Sequence, residues 1–219
     1  MKYIKKAILL ISILLFTACD SSVMESEKDT PVSPKDTNIL QKSELFVETE
    51  SDIYTIETND FSYLTSSGYT LWSVEEINTT DNFTPLNITV CKISGQKEAG
   101  FGIVFCIQQL EDKPFLLTVL INSNGLYTIG KVCNGIFSHI NEGWKNSNYI
   151  NKGYGISNEI NVSYNIENKK FILKINGYEI TSFAVSENIK FKNSSWGFAA
   201  VIANNENFPS IPVKIIYEK

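Results

Sequence analysis

Three sets of side chains in this 219-residue sequence could do chemistry. The first is carboxylates, since hydrolysis of a glycosidic bond takes two carboxyl groups about 5 to 9 Å apart, one acid and one nucleophile or base. Glu75-Glu76 and Glu111-Asp112 are adjacent pairs, so on a strand their side chains would point to opposite faces. Glu48-Thr49-Glu50-Ser51-Asp52 has the spacing that aims side chains at one face, but it lies at the edge of the folded region. Solvated strand ends or turns account for the two adjacent pairs. The second set is imidazole and thiol. His139 is the single histidine, so a Ser-His-Asp or Cys-His arrangement would have to use it. No CxxC or Cys/His cluster offers a zinc site, and His139 reads as a polar loop residue. The third set is aromatic. Trp144 lies in a polar segment (NEGWKNSNY) with Tyr149 close by, and Lys145, Asn146 and Asn148 stand ready to hydrogen-bond hydroxyls. Aromatic faces stack on sugar rings, so Trp144, Tyr149 and Asn146 are the expected ligand-binding residues. The alternative is that Trp144 plugs the edge of the fold, because aromatics mostly serve cores. Trp72 and Trp196 sit within apolar strand patterns and are assigned to the core.

Cys19 closes a separate pattern at the N-terminus. Lys2, Lys5 and Lys6 precede an apolar run from Ala7 to Phe16 (AILLISILLF), and Thr17-Ala18 puts small residues directly before the thiol. Those are the three parts of a secretory signal peptide, here 1–18, and the run is too short for a stable membrane span. The stretch resembles the lipobox of bacterial lipoproteins, with Phe16 where Leu is commonest. That resemblance implies cleavage before Cys19, acylation of its thiol, and a lipid anchor in the cell envelope on the extracytoplasmic side. Several acyl chains, at roughly 0.8 kcal/mol per buried methylene, make release negligible. Asp20 resembles the inner-membrane retention signal of enteric bacteria, but other phyla sort differently, so inner and outer membrane both stay open. An ordinary signal peptide with an incidental Cys is the alternative.

Cleavage there removes three lysines and no acids. Lys+Arg falls from 19 to 16 against 24 Asp+Glu, and formal charge moves from -5 to -8. This acidity disfavours polyanion partners, nucleic acid above all, and adhesion to anionic headgroups by charge. Every cation is Lys and there is no Arg, so enzymes that need a bidentate guanidinium clamp are disfavoured. The remaining thiols are Cys91, Cys106 and Cys133. Cys91 and Cys106 flank a turn-rich stretch (SGQKEAG), so a disulfide across a hairpin is one reading, worth roughly 3 kcal/mol. Three buried thiols packing as small apolar side chains is the preferred reading.

The elements that must position these residues begin after a tether. Residues 19–44 are polar, carry two prolines and mixed charge, and predict a disordered segment with a mean reach of roughly 30 Å. Residues 45–219 form one expected domain, dense in Tyr, Phe, Ile and Val with recurring turn signals and no helical period. Ile160-Val162-Tyr164-Ile166 and Phe171-Leu173-Ile175 alternate with more polar neighbours, and Asn176-Gly177 turns the second run into Tyr178 to Thr181. Asn-Gly tolerates positive φ at both positions, so these residues predict a three-strand antiparallel meander. Leu86 to Ile93, Gly102 to Ile107, Phe115 to Ile121 and Leu126 to Val132 follow the same logic. The two central runs are apolar on both faces, which predicts cover on both sides or a groove. Ile53 to Thr58, Tyr69 to Glu75, Trp196 to Ile202 and Ile211 to Tyr217 complete a set that calls for an all-β, two-sheet antiparallel sandwich.

The order of these elements resembles concanavalin A-like jelly-roll domains of the LamG, lectin and glucanase kind. Gly102-Ile103-Val104-Phe105, Phe115 to Ile121 and Asn124-Gly125-Leu126-Tyr127 carry the likeness, with Trp144 and its neighbours Ser147 and Ile150. Asn158 to Val162, Phe171 to Gly177 and Trp196-Gly197-Phe198 continue it. The resemblance implies a fold that hosts carbohydrate-binding modules, glycosidases and adhesion domains, so fold narrows function little. Hydrolases resembling the laminarinases carry a Glu-x-Asp-x-x-Glu run on one strand, and none occurs here. Calcium is common in such domains, but these loops offer Asn more than Asp, and Asp60, Asp81 and Asp112 stand apart. No cofactor is expected, with structural calcium as the alternative. The leading expectation is a lipid-anchored, non-catalytic module for extracytoplasmic glycan. A protein adhesion or assembly module and a glycoside hydrolase are the alternatives, and the oligomeric state is open.

Overall fold

The computed structural model describes residues 40–42, 46–58, 69–111, 113–202 and 213–219. The signal peptide, Cys19, most of the tether, Asp60 and Asp112 lie outside the described residues. Among the described residues there are strands and no helix. They are β1 (Leu40–Lys42), β2 (Phe46–Glu50), β3 (Ile53–Thr58), β4 (Tyr69–Trp72), β5 (Glu76–Ile77), β6 (Leu86–Ser94), β7 (Phe101–Leu110) and β8 (Lys113–Ile121). After them come β9 (Leu126–Cys133), β10 (Ile136–His139), β11 (Lys145–Asn146), β12 (Ser157–Asn165), β13 (Lys170–Ile175), β14 (Tyr178–Phe183), β15 (Ser195–Ile202) and β16 (Val213–Glu218).

One sheet runs β1-β4-β15-β7-β8-β9-β10, with β11 on β9 and β5 on β15; the other runs β14-β13-β12-β6-β16-β3-β2. This is the two-sheet jelly-roll sandwich that the sequence implies. Pairing is antiparallel except at one margin, where β1 lies parallel to β4. Leu40–Lys42 falls within the segment read as tether, yet it pairs as a strand. The C-terminal meander is present as β12, β13 and β14, with Ile160 opposite Ile175 and Phe171 opposite Phe183. Ile166 departs from its expected inward place: it sits in the turn and is exposed.

Alternation along the strands fills the space between the sheets. Phe101, Ile103 and Phe105 of β7 and Phe115, Leu117, Val119 and Ile121 of β8 meet Ile88 and Val90 of β6, Leu173 of β13 and Tyr217 of β16. The residues between them on β7 and β8 form a second apolar cluster on the other face. Val104, Leu116 and Leu120 join Val132 and Ala199 there, with Trp72, Phe137, Trp144 and Val201 packed against them. The runs that read as apolar on both faces therefore serve two clusters. A break in β7 distributes its residues. Cys106 has φ 52° and the register shifts between Phe105 and Gln108. That bulge turns Cys106 into the core when simple alternation would aim it outward with Val104.

Cys91, Cys106 and Cys133 are free thiols. The hairpin that would carry a Cys91–Cys106 bridge is not formed, because β6 and β7 belong to different sheets. The turn-rich stretch between them crosses the sandwich instead of joining paired strands.

Candidate functional site

Four connections meet at one end of the sandwich: 95–100 after β6, 122–125 after β8, 147–156 after β11, and the Asn176-Gly177 turn after β13. Backbone hydrogen bonds tie them together. Ser123 N donates to Lys97 O at 3.0 Å, Gly153 N to Ser123 O at 2.9 Å, Ser147 N to Gly125 O at 3.1 Å and Gly155 N to Lys92 O at 2.9 Å. Asn122 shapes its own turn, its Oδ1 accepting from Asn124 N and Leu126 N, each at 3.1 Å.

The Asn-Gly turn does more than reverse the chain. Asn176 takes φ 52° and Gly177 φ 81°, the pair of positive angles that a tight hairpin needs. The Asn176 side chain then reaches into the neighbouring loop. Its Oδ1 accepts from Glu159 N at 2.8 Å, while Nδ2 donates to Tyr149 O at 2.7 Å and to Asn158 Oδ1 at 2.9 Å. Asn158 in turn bonds both backbone groups of Asn151. Tyr149 is held this way against Tyr178, the first residue of β14. Their rings stack with centroids 4.4 Å apart and planes 14° apart, and they remain 46 % and 57 % exposed. Large aromatics left in water on a fixed backbone are the surface most able to take up a ligand at this end.

Tyr154 lies in the same loop as Tyr149 and is 39 % exposed. Its hydroxyl donates to Gly95 O, and Lys97 Nζ stands 5.6 Å from its ring centroid. Burial pushes the Tyr154 phenol above its usual range, and the Glu98 charge adds to the shift. Beneath this loop Lys92, on the inward face of β6, is fully buried at 0 % exposure. Its Nζ donates to Gln96 O and, at 2.9 Å, to Ala99 O, and lies 5.5 Å from the Phe101 centroid. Burial lowers the ammonium to about 8, with the Glu98 charge opposing the shift.

Of the residues expected at a ligand site, Tyr149 and Asn146 are exposed at this end, Asn146 on β11 opposite Leu126. Trp144 is not an open platform. It is half-buried against the second cluster, and a methyl group at Gly100 would sit 2.8 Å from its Cη2. The edge-plug alternative describes it better. Tyr178 was missed by sequence reasoning, and its one signal is its place immediately after an Asn-Gly turn. Tyr154 likewise drew no notice, its signal being a polar loop between two glycines.

The carboxylates behave otherwise than their spacing suggests. Glu75 and Glu76 do not diverge: both reach Lys219 Nζ, at 3.4 and 3.5 Å, because only Glu76 belongs to β5 and strand alternation does not govern the pair. Lys219 also lies 4.8 Å over Tyr54 and 5.3 Å over Trp196. Burial would lower its ammonium, but the Tyr54 hydrogen bond and the two carboxylates outweigh this and raise it. Glu48 and Glu50 are exposed on the edge strand β2. His139 lies in β10, not in a loop, with Nδ1 2.8 Å from Thr128 Oγ1 and its ring edge-on to Phe137. Among the described residues no three of His, Cys, Asp and Glu converge as a metal site.

No protein-family model matches the chain, and no curated protein matches it. Solved structures do. A beta-glucanase of Bacillus licheniformis is 7 % identical with TM-score 0.49, over 80 % of this chain and 79 % of that one. The CBM2 module of the evolved Dit from Lactobacillus casei BL23 phage J-1 is 13 % identical with TM-score 0.48, over 83 % and 79 %. The carbohydrate binding module CBM66 from Bacillus subtilis is 10 % identical with TM-score 0.43, over 77 % and 83 %. At these scores the chain's own geometry has to carry the functional reading.

Proposed function

We propose that this chain is an exported lipoprotein, acylated at Cys19, whose sandwich binds glycan without catalysis at the tyrosine-bearing end. The observation that carries the glycan reading is the exposed Tyr149–Tyr178 stack. Sugars offer C–H faces to flat apolar rings and hydroxyls to nearby polar groups. Here the backbone beneath Tyr149 is held by Asn176, Tyr178 opens β14 and the two rings pack on each other, so little ordering cost falls on binding. Asn146 supplies amide groups at the same end.

Glycan-array screening followed by calorimetry on the purified protein tests the site. Tyr178→Ala is expected to weaken binding by roughly fivefold or more, the worth of one aromatic stack. A parent protein that binds no sugar on the array overturns the glycan reading. Anchoring is tested separately: a clickable palmitate fed to expressing bacteria should label the parent and leave Cys19→Ala unlabelled.

A further inference from the structure

We infer that the binding end is elongated and reads a stretch of several sugar units, with Tyr154 as a second platform beyond the Tyr149–Tyr178 stack. The inference rests on the glycan reading above and adds the shape of the ligand. Tyr178 opens β14, while Tyr154 is bonded to Gly95, one residue past the end of β6. In the sheet β13 and β12 stand between β14 and β6. Three strand spacings of about 4.8 Å separate them across the sheet, and Tyr178 lies level with Ile88 while Tyr154 is anchored four to seven residues further along β6, so the two platforms stand roughly 20 to 25 Å apart. A pyranose repeat is about as long as one strand spacing, so a pentasaccharide or hexasaccharide laid obliquely over this end touches both platforms, and a disaccharide reaches only one.

Tyr154 is built as a surface and not as a core filler. Its hydroxyl is tied to the backbone, an ammonium stands over its ring, and 39 % of the residue still faces water. The loop between the platforms offers exposed Asn151 and Lys152 as hydrogen-bonding groups along the path. Lys152 is kept there by its stem, which crosses Gly125 so closely that a methyl group at that glycine would lie 2.4 Å from its Cε. The other anchor of this end, Lys92, holds the loop that carries Gly95 and Lys97 from below.

The test is a chain-length series. The purified full-length protein is titrated with cello-, laminari-, xylo- and malto-oligosaccharides, each from disaccharide to hexasaccharide. In the series that binds, affinity should rise about fivefold between disaccharide and hexasaccharide. Tyr154→Ala should remove that rise and leave disaccharide affinity unchanged, whereas Tyr178→Ala should lower affinity at every length. Tyr154→Phe, which keeps the ring and loses only the bond to Gly95, should retain the rise and guards against a folding defect. A flat length profile in the parent sinks the second platform and spares the glycan reading. So does an equal loss at all lengths in Tyr154→Ala. Failure of every series to bind sinks the second platform, and an array that is blank as well sinks the glycan reading.

Discussion

Asn176 holds Tyr149 by donating from Nδ2 to its carbonyl oxygen at 2.7 Å, across 27 positions of sequence. One turn residue thereby fixes the aromatic surface that the adjoining strand completes with Tyr178. The bond joins a hairpin tip to a loop of quite different origin, and it makes the turn part of the site.

Replacing this residue separates its two jobs. Asn176→Gly keeps the positive φ but deletes the hydrogen bonds to Glu159 N, Tyr149 O and Asn158 Oδ1. The expected cost is about 1–3 kcal/mol, since polar groups lose their partners. Urea denaturation measures the loss, and glycan affinity should fall with it because Tyr149 is released. Unchanged stability would mean that the asparagine serves the turn alone.

Lys92 predicts an alkaline gain in stability. Its folded ammonium titrates near 8 because it is buried, against an ordinary value of about 10.4 in the unfolded chain. Below about pH 8 both states hold the proton, and the cost of burying the cation is constant. Between about pH 8 and 10 the unfolded chain binds a proton that the folded chain has released, so stability rises with pH, on the order of 2 to 3 kcal/mol at most. Lys92→Met should lack this rise. Urea midpoints of parent and variant across that range decide it, and parallel curves would refute the assignment.

Thiol reactivity follows burial. Cys106 lies in the core, and burial pushes its thiol far above the usual range. Cys91 is half-buried and raised by burial, with a hydrogen bond to Ser157 opposing. Cys133 is also half-buried. Iodoacetamide on the native protein should therefore reach Cys91 and Cys133 and spare Cys106 until unfolding. Peptide mass spectrometry after timed labelling reads the order.

Trp144→Ala should act on stability before binding. The indole packs on the second apolar cluster, so its removal should cost about 2 kcal/mol, less than a fully buried Trp because the ring is half-exposed. Calorimetry on the still-folded variant should find sugar affinity within twofold or so of the parent. A larger loss with intact folding would return Trp144 to the ligand site.

The β-sandwich was legible because its signals are local. Strand period, Asn-Gly turns and the meander from Ile160 to Thr181 depend on neighbours in sequence, and they emerge at nearly the expected boundaries. The short strands β5, β10 and β11 were not legible, since two to four residues carry no period of their own. Cys91 and Cys106 misled for a related reason. Turn composition marks where the chain bends, and says nothing of whether the bend joins paired strands or crosses between sheets. Of the proposed site, Tyr149 and Asn146 stood out in a polar segment, whereas Tyr178 and Tyr154 looked like ordinary strand and loop residues.

By itself the sequence determined the lipoprotein-like start, the acidic charge, the absence of arginine and the alternating apolar pattern that commits the chain to two packed sheets. These follow from composition and from periods two residues long. Only the tertiary structure decided which aromatics serve the core and which face water. Trp144 lies over Gly100 and is claimed by a cluster on the outer face of β7 and β8, while Tyr149 meets Tyr178 through an asparagine far away in sequence. Exposure depends on which loops converge at one end of the sandwich, and loop convergence is set by sheet order, a property no local pattern encodes.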